Sequence, residues 1–379
     1  MRLAFELSDH DLMFNHYLPL LFEAIKSDGV QVECYAAGGA AVVKARRYAA
    51  KYYVDDCHLL DSVSITVLKN KFIERAKRKL RQLRFVPLGT RALLLFRRFY
   101  RQISNERLVS YNDFYWKNRK YFRRFDYILT AELKGGDCLR QFETKIVWML
   151  HGVISSHYPY AKDWSCDVVI SPKIGFREEL LINTNMDPAT QIYTALYVKK
   201  FALDRVCGKT DKRKKTVLYN PHWDDSEGLS SWFFMGLEIL EYFYNSTQWN
   251  LIFAPHIALK DSLGVNVPAK YRACKNIVVD MDSDKLLSGY YIPSADLYLG
   301  DVSSQFYEVV LVNPVPAVFI SPKKISKEPD QWGFGVVIKD IAELPCALDN
   351  ARLMVTAEQL FYPLDPDMSG FLSFLESES

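Results

Sequence analysis

Twelve short apolar runs, each about the length of one strand, punctuate this chain, and helix-like segments separate most of them. The first series is RLAFEL (2–7), VQVECYAAG (30–38), YILTAE (127–132), KIVWMLHG (145–152), DVVISP (167–172) and QIYTALY (191–197). The second is VLYNPH (217–222), NLIFAPH (250–256), NIVVD (276–280), DLYLGD (296–301), PAVFIS (316–321) and GVVIKD (335–340). Strands that are apolar along their whole length are buried on both faces, and helices between them supply the cover. The pattern therefore predicts parallel sheets in an α/β chain. At 379 residues the chain exceeds what one core accommodates. The polar stretch RVCGKTDKRKKT (205–216) reads as the linker between two doubly wound, Rossmann-like domains, 1–204 and 205–379, that face a central cleft. The last helix is a candidate to pack back on the first domain. DLMFNHYLPLLFEAIKSDG (11–29) and SSWFFMGLEILEYFYNST (230–247) are expected helices, and residues 40–125 are expected to be mostly helical.

Several classes are set aside by what the sequence lacks. Seven scattered cysteines with no CxxC spacing argue for reduced thiols and against a zinc ribbon or a disulfide framework. Glu6, Asp9 and Asp11 interrupt the first apolar stretch, so no signal peptide is expected, and no run approaches the roughly 20 apolar residues of a membrane span. Charge is unevenly placed. Residues 69–124 carry eighteen Lys and Arg against Glu74, Glu106 and Asp113, a segment charge of +15 within a chain of net +3. A solvated helical face is the plain meaning of such a run. Here the cations are interleaved with Phe72, Leu80, Leu83, Phe85, Leu93, Phe96 and Phe99, which suits a helix lying on an anionic membrane surface. Nucleic acid is the other polyanion to weigh, but no nucleic-acid-binding signature supports it. The expected location is cytoplasmic, peripheral on the inner face of the cell membrane.

In doubly wound sheets ligands bind beyond the C-terminal ends of the strands. The notable polar groups of this chain fall there: HG at 151–152, NPHWDD at 220–225, APH at 254–256 and GDVSS at 300–304. His151 can be a structural histidine, or it can take a proton from an attacking hydroxyl, with Gly152 allowing close approach of a substrate. His157 on the same loop is a weaker candidate. Asp224 and Asp225 after His222 can cap a helix. His256, or Lys260 nearby, can neutralise a departing phosphate. Ser303 and Ser304 open a helix and can either cap it or hold a phosphate at its N-terminus, beside Gly300 and Asp301. Glu308, one turn on, can be an exposed helix residue or a partner for ribose hydroxyls. Walker, GxGxxG, GxSxG, HxH and HExxH patterns are absent, so neither a metal site nor a cofactor is expected.

Taken in order, WMLHG (148–152), NPHWDD (220–225), APH (254–256) and ADLYLGDVSS (295–304) resemble the motifs of the CDP-glycerol glycerophosphotransferase family, which builds teichoic acids and related surface polymers. The resemblance covers about residues 145–320. It implies a GT-B-like fold whose first domain holds a glycan or lipid-linked acceptor and whose second holds a nucleotide-activated donor, CDP-linked by preference. It also implies roles: His151 as general base, His256 against the departing nucleotide, and Ser303 and Ser304 on its phosphates. Asp301, Glu308, His222 and Gly152 complete the implied donor site, with no metal. Three departures bear on the donor. His222 stands where the family has threonine, Asp224 where it commonly has a basic residue, and the lysine of the family's HGTPLK is missing from HGVISSHYPY. The alternatives are a GT-B glycosyltransferase that uses a nucleotide sugar and, in another class, a non-catalytic glycan-binding or membrane-scaffold protein.

Overall fold

The computed structural model describes residues 1–8, 13–68, 114–131, 141–150, 166–184, 186–205, 214–223, 229–261, 264–321 and 328–378. Among these residues the first sheet has seven strands: β1 (Arg2–Glu6), β2 (Gln31–Ala36), β3 (Ser64–Val67), β4 (Tyr127–Thr130), β5 (Lys145–Met149), β6 (Val168–Ile170) and β7 (Gln191–Tyr193), in the order β3-β2-β1-β4-β5-β6-β7. The second has six: β8 (Lys215–Asn220), β9 (Trp249–Phe253), β10 (Ile277–Val279), β11 (Leu297–Gly300), β12 (Ala317–Ile320) and β13 (Val336–Ile338), in the order β10-β9-β8-β11-β12-β13. Every pairing within both sheets is parallel.

Both faces of each sheet are buried, which is why the strands read as unbroken apolar runs. In β1 and β5, Leu3, Phe5, Val147 and Met149 enter the core on one face, and Ala4, Ile146 and Trp148 enter the core on the other. In the second sheet Val217, Tyr219, Leu251, Phe253, Leu297 and Leu299 face one core, while Leu218, Ile252 and Tyr298 face the opposite one. The period-two alternation is thus present, with apolar side chains on both sides of it.

One element departs from the sequence reading. Residues 40–125 were expected to be mostly helical, and α2 (Gly39–Tyr52) agrees, but β3 pairs with β2 at the sheet edge. Its side chains are half-exposed, so SITV carries no buried apolar run to betray a strand. The basic stretch 69–113 lies outside the described residues. The linker reading also shifts, because β8 already begins at Lys215 and the short helix Val198–Asp204 precedes the segment.

The two sheets are joined by packing as well as by chain. The Val198–Asp204 helix contacts both α1 (Phe14–Lys26) and the Gln305–Val312 helix of the second sheet. The C-terminal helix Ser369–Ser377 returns to the first sheet, where Phe371, Leu372 and Leu375 share its core and Tyr127 donates to the Leu375 carbonyl at 3.0 Å. Lys173, beyond β6, is buried between Glu179 at 3.0 Å and Asp330, beyond β12, at 2.9 Å.

Candidate functional site

Strand order fixes where a crevice must open. In each sheet the chain builds outward in one direction, then crosses to build in the other, so neighbouring strands at the crossing send their following loops apart. That point lies between β1 and β4 in the first sheet and between β8 and β11 in the second. Pro221-His222-Trp223 follows β8, Ala254-Pro255-His256 follows the adjacent β9, and Asp301–Ser304 follows β11.

Asp301 ties these loops together. Its carboxylate is wholly buried and accepts from the backbone N–H of His222 at 2.9 Å, of Ser231 at 2.7 Å and of Val302 at 2.7 Å, and from Ser231 Oγ at 2.7 Å. Burial pushes the Asp301 carboxyl above its usual range, while the His222 charge and the Ser231 and His222 donors pull against that rise. A carboxylate with no access to water and four donors in place is spent on architecture. The sequence reading put Asp301 among donor ligands; its side chain instead spans the switch point from within.

Further bonds extend the clasp. Ser303 Oγ donates to Asn220 Oδ1 at 3.1 Å, and Asn220 Nδ2 donates to the Ala254 carbonyl at 2.5 Å. The His256 N–H donates to the Pro221 carbonyl at 3.2 Å, and Ser230 Oγ donates to the His222 carbonyl. Gln331 Nε2 and Trp332 Nε1 both reach the Asp301 carbonyl, at 3.1 and 3.2 Å. Gly300 ends β11, and a Cβ there would collide with the Tyr298 ring. Three loops far apart in sequence become one rim.

His222 and His256 come together on that rim. Their ring centroids are 6.2 Å apart, with Trp223 5.9 Å from His222 and 6.2 Å from His256. Both histidines are partly buried. The Ala258 N–H donates to His256 Nδ1 at 3.2 Å, so in the neutral ring the proton sits on Nε2. Ile257, the next residue, packs against the core of the first sheet, which sets His256 at the junction of the two halves.

The serine pair divides its labour. Ser303 is buried, and its Oγ also accepts from the Gln305 N–H at 3.3 Å. The Phe306 and Tyr307 N–H groups bond the Ser303 and Ser304 carbonyls at 3.3 and 3.1 Å, so the first turn of the helix is largely satisfied from within. Ser304, its N-cap, makes no capping bond through its side chain and is partly exposed.

Glu308 does something the sequence did not suggest. Lys199 Nζ donates to both of its oxygens at 2.7 Å and Tyr197 Oη donates at 3.0 Å, all in near-complete burial. Burial, reinforced by Glu308, pushes the Tyr197 hydroxyl far up, so it remains a donor. These bonds link the helix between the sheets to the Gln305–Val312 helix, and both carboxylate oxygens are used. Lys260 pairs with Asp282. His151, Gly152, His157, Asp224 and Asp225 lie outside the described residues.

No protein-family model matches the chain, and no curated protein matches its sequence. Solved structures do. The chain is similar to the Methanocaldococcus jannaschii UDP-GlcNAc 2-epimerase in complex with UDP-GlcNAc and UDP, with a TM-score of 0.56 at 10% identity over 100% of both chains. It is similar to another UDP-N-acetylglucosamine 2-epimerase at 0.56 and 9% identity, over 100% of this chain and 97% of that one. It is also similar to S. aureus MnaA in a co-structure with UDP, at 0.52 and 11% identity over 98% and 94%. The fold is GT-B. At these identities the likeness extends to the fold alone, and the CDP-glycerol resemblance rests on its motif residues.

Within this GT-B frame the second-sheet rim gathers two imidazoles, the Trp223 ring and the partly exposed Ser304 hydroxyl. Among the described residues, no group of three or more His, Cys, Asp or Glu could hold a metal ion, and no helix is long and apolar enough to cross a membrane. Ser230, Ser231, Gln331 and Trp332 escaped the sequence reading, and Asn220 entered it only as the first residue of NPHWDD. Their one visible signal was the serine pair just before an apolar helix.

Proposed function

We propose that the chain is a transferase of bacterial surface-glycan assembly that takes its transferred group from a nucleotide-activated donor bound at the second-sheet rim. The observation that carries this reading is the Asp301 clasp, which brings the loops of His222, His256 and Ser303–Ser304 to one switch-point crevice. A GT-B fold similar to structures solved with UDP-GlcNAc and UDP supports a nucleotide sugar as donor. An acceptor hydroxyl would attack the anomeric carbon, the bond from that carbon to the diphosphate oxygen would break, and the nucleoside diphosphate would leave. His151 is the proposed base that receives the hydroxyl proton. His256 Nε2–H would stabilise the charge that develops on the leaving phosphate.

The ADLYLGDVSS and APH motifs favour a second reading, in which the donor is a CDP-linked polyol. The hydroxyl would then attack the β-phosphorus and CMP would leave. Donors labelled in the β-phosphate separate the two. Label retained in the released nucleotide supports sugar transfer, label in the acceptor product supports the CDP-linked reading, and no transfer from any nucleotide donor overturns both. The basic segment 69–124 is assigned to an anionic membrane surface. Cosedimentation with anionic vesicles that salt weakens supports that assignment, and binding indifferent to salt removes it.

A further inference from the structure

The basic segment enters the described residues at 114, and from there to 125 it folds as a two-sided element. Phe114, Tyr115, Phe122 and Phe125 are buried in the core on one face of the first sheet, where Phe122 meets the Tyr35 ring edge to face at 5.0 Å. The other side carries Trp116, Arg119, Lys120 and Arg123, spaced i, i+3, i+4 and i+7, so they share one helical stripe. Arg119 lies over the Trp116 ring, 5.1 Å from its centroid, and its Nη1 donates to the Trp116 carbonyl at 3.0 Å. Arg123 lies over the Phe142 ring at 5.6 Å, and the Trp116 and Phe142 rings are 6.0 Å apart. Phe142 is buried, whereas Trp116 is 47% exposed and is the ring that meets solvent. Stacking fixes each guanidinium while leaving in-plane N–H donors for an anion. Lys120 is exposed beside them. No acid occurs between 114 and 125. Of the acids that border the element, Glu33 holds Arg124 at 2.8 Å, Asp126 holds Arg2 at 2.9 Å, and Glu143 pairs with none of the stripe's cations.

We infer that Trp116, Arg119, Lys120 and Arg123 form a docking plate for an anionic lipid surface, with the cations on lipid phosphates and the Trp116 ring in the headgroup layer. This seating rests on the assignment of the basic segment to such a surface, and it adds the residues that touch lipid and the end of the first sheet that faces it. Arg123 and Phe142 stand just ahead of β4 and β5, and Thr144 Oγ1 donates to the Phe122 carbonyl at 3.1 Å, so the plate lies toward the N-terminal strand ends. The crevice opens beyond the C-terminal ends, and docking leaves it uncovered. A merely solvated basic face has no use for an exposed Trp, whereas a ring with an apolar body belongs at the headgroup level. Nucleic acid fits less well, because Arg119 already covers one face of the ring on which a base would stack.

The test is cosedimentation of the full chain with phosphatidylcholine vesicles, with and without about one-third phosphatidylglycerol, over a range of salt. The variants are Trp116→Ala, the triple Arg119→Gln, Lys120→Gln, Arg123→Gln, and a control that removes Lys275 and Lys339 as glutamine from the second sheet. All of these side chains lie at the surface, and thermal unfolding checks that each variant keeps its fold. Wild type should bind the anionic vesicles and not the neutral ones. The triple should lose roughly 100-fold in affinity, about fivefold for each cation, and its salt dependence should flatten. Trp116→Ala should lose about 10-fold with its salt dependence unchanged, and the control should stay within about twofold of wild type. If wild type binds and neither plate variant weakens binding, the plate is overturned while the membrane assignment of the basic segment stands. If wild type does not bind anionic vesicles, both fall. If a DNA oligonucleotide displaces the vesicles and its own binding is lost in the same variants, the plate is a nucleic-acid surface and the lipid assignment is overturned.

Discussion

Replacing Asp301 by asparagine is the sharpest perturbation of the rim, because size is kept while acceptor capacity is lost. The carboxylate takes three backbone N–H groups and one hydroxyl. Asparagine offers one oxygen and one NH2. If the oxygen stays with His222 and Val302, the NH2 faces the Ser231 N–H, donor against donor. Ser231 Oγ can turn and accept from it, so one buried N–H is left unpaired and charge assistance is lost from the rest. A lost hydrogen bond to a charged group costs about 1.5–3 kcal/mol and an orphaned buried donor about 1–3. Against this, removing a buried charge that desolvation already disfavours returns part of the cost. The net expectation is a loss of about 3 kcal/mol, or roughly 6–12 °C in the unfolding midpoint of a domain of this size. Since the clasp also sets the His222 and Ser303 loops, UDP or CDP affinity should fall at least 10-fold at temperatures where the variant is still folded. Differential scanning calorimetry and titration of the folded variant measure the two effects. An Asn variant as stable as wild type, with unchanged nucleotide affinity, would refute the reasoning.

Three other outcomes are expected. Glu308→Gln strands the buried Lys199 ammonium and should destabilise the chain by about 3–5 kcal/mol, whereas Glu308→Gln with Lys199→Met should recover much of that loss in denaturant melts. Asp56 is partly desolvated, which alone would raise its carboxyl, but its pairs with Lys26 and Arg205 outweigh this and lower it. A lowered carboxyl stabilises above its unfolded value near 3.9 and loses that contribution as pH falls through its folded value, so wild type should exceed Asp56→Asn in stability at pH 7 and converge with it toward pH 3. His151→Ala should abolish transfer and leave nucleotide affinity within about twofold; retained transfer would remove His151 as the base.

How much of this was legible in the sequence follows from what each feature depends on. Strands such as KIVWM and LYLG are apolar on both faces because helices cover both, and that condition is written locally. The edge strand Ser64–Val67 escaped because only one neighbour pairs with it and its side chains meet solvent. Strand ends located His222, His256 and Ser303, since a doubly wound sheet gathers its C-terminal loops wherever the strands fall in sequence. The roles of Asp301 and Glu308 were not readable. Their partners, Ser231 and Lys199, lie 70 and 109 residues away, and nothing local distinguishes a carboxylate that grips the fold from one that waits for a ligand.

The account turns on where a donor's phosphates go. The most direct measurement is a crystal structure of the chain soaked with UDP or CDP. Phosphate oxygens within about 3 Å of His256 Nε2, of the His222 ring and of Ser304 Oγ are the predicted result. A nucleotide held on the first sheet, or on any surface away from the loops after β8, β9 and β11, would contradict it.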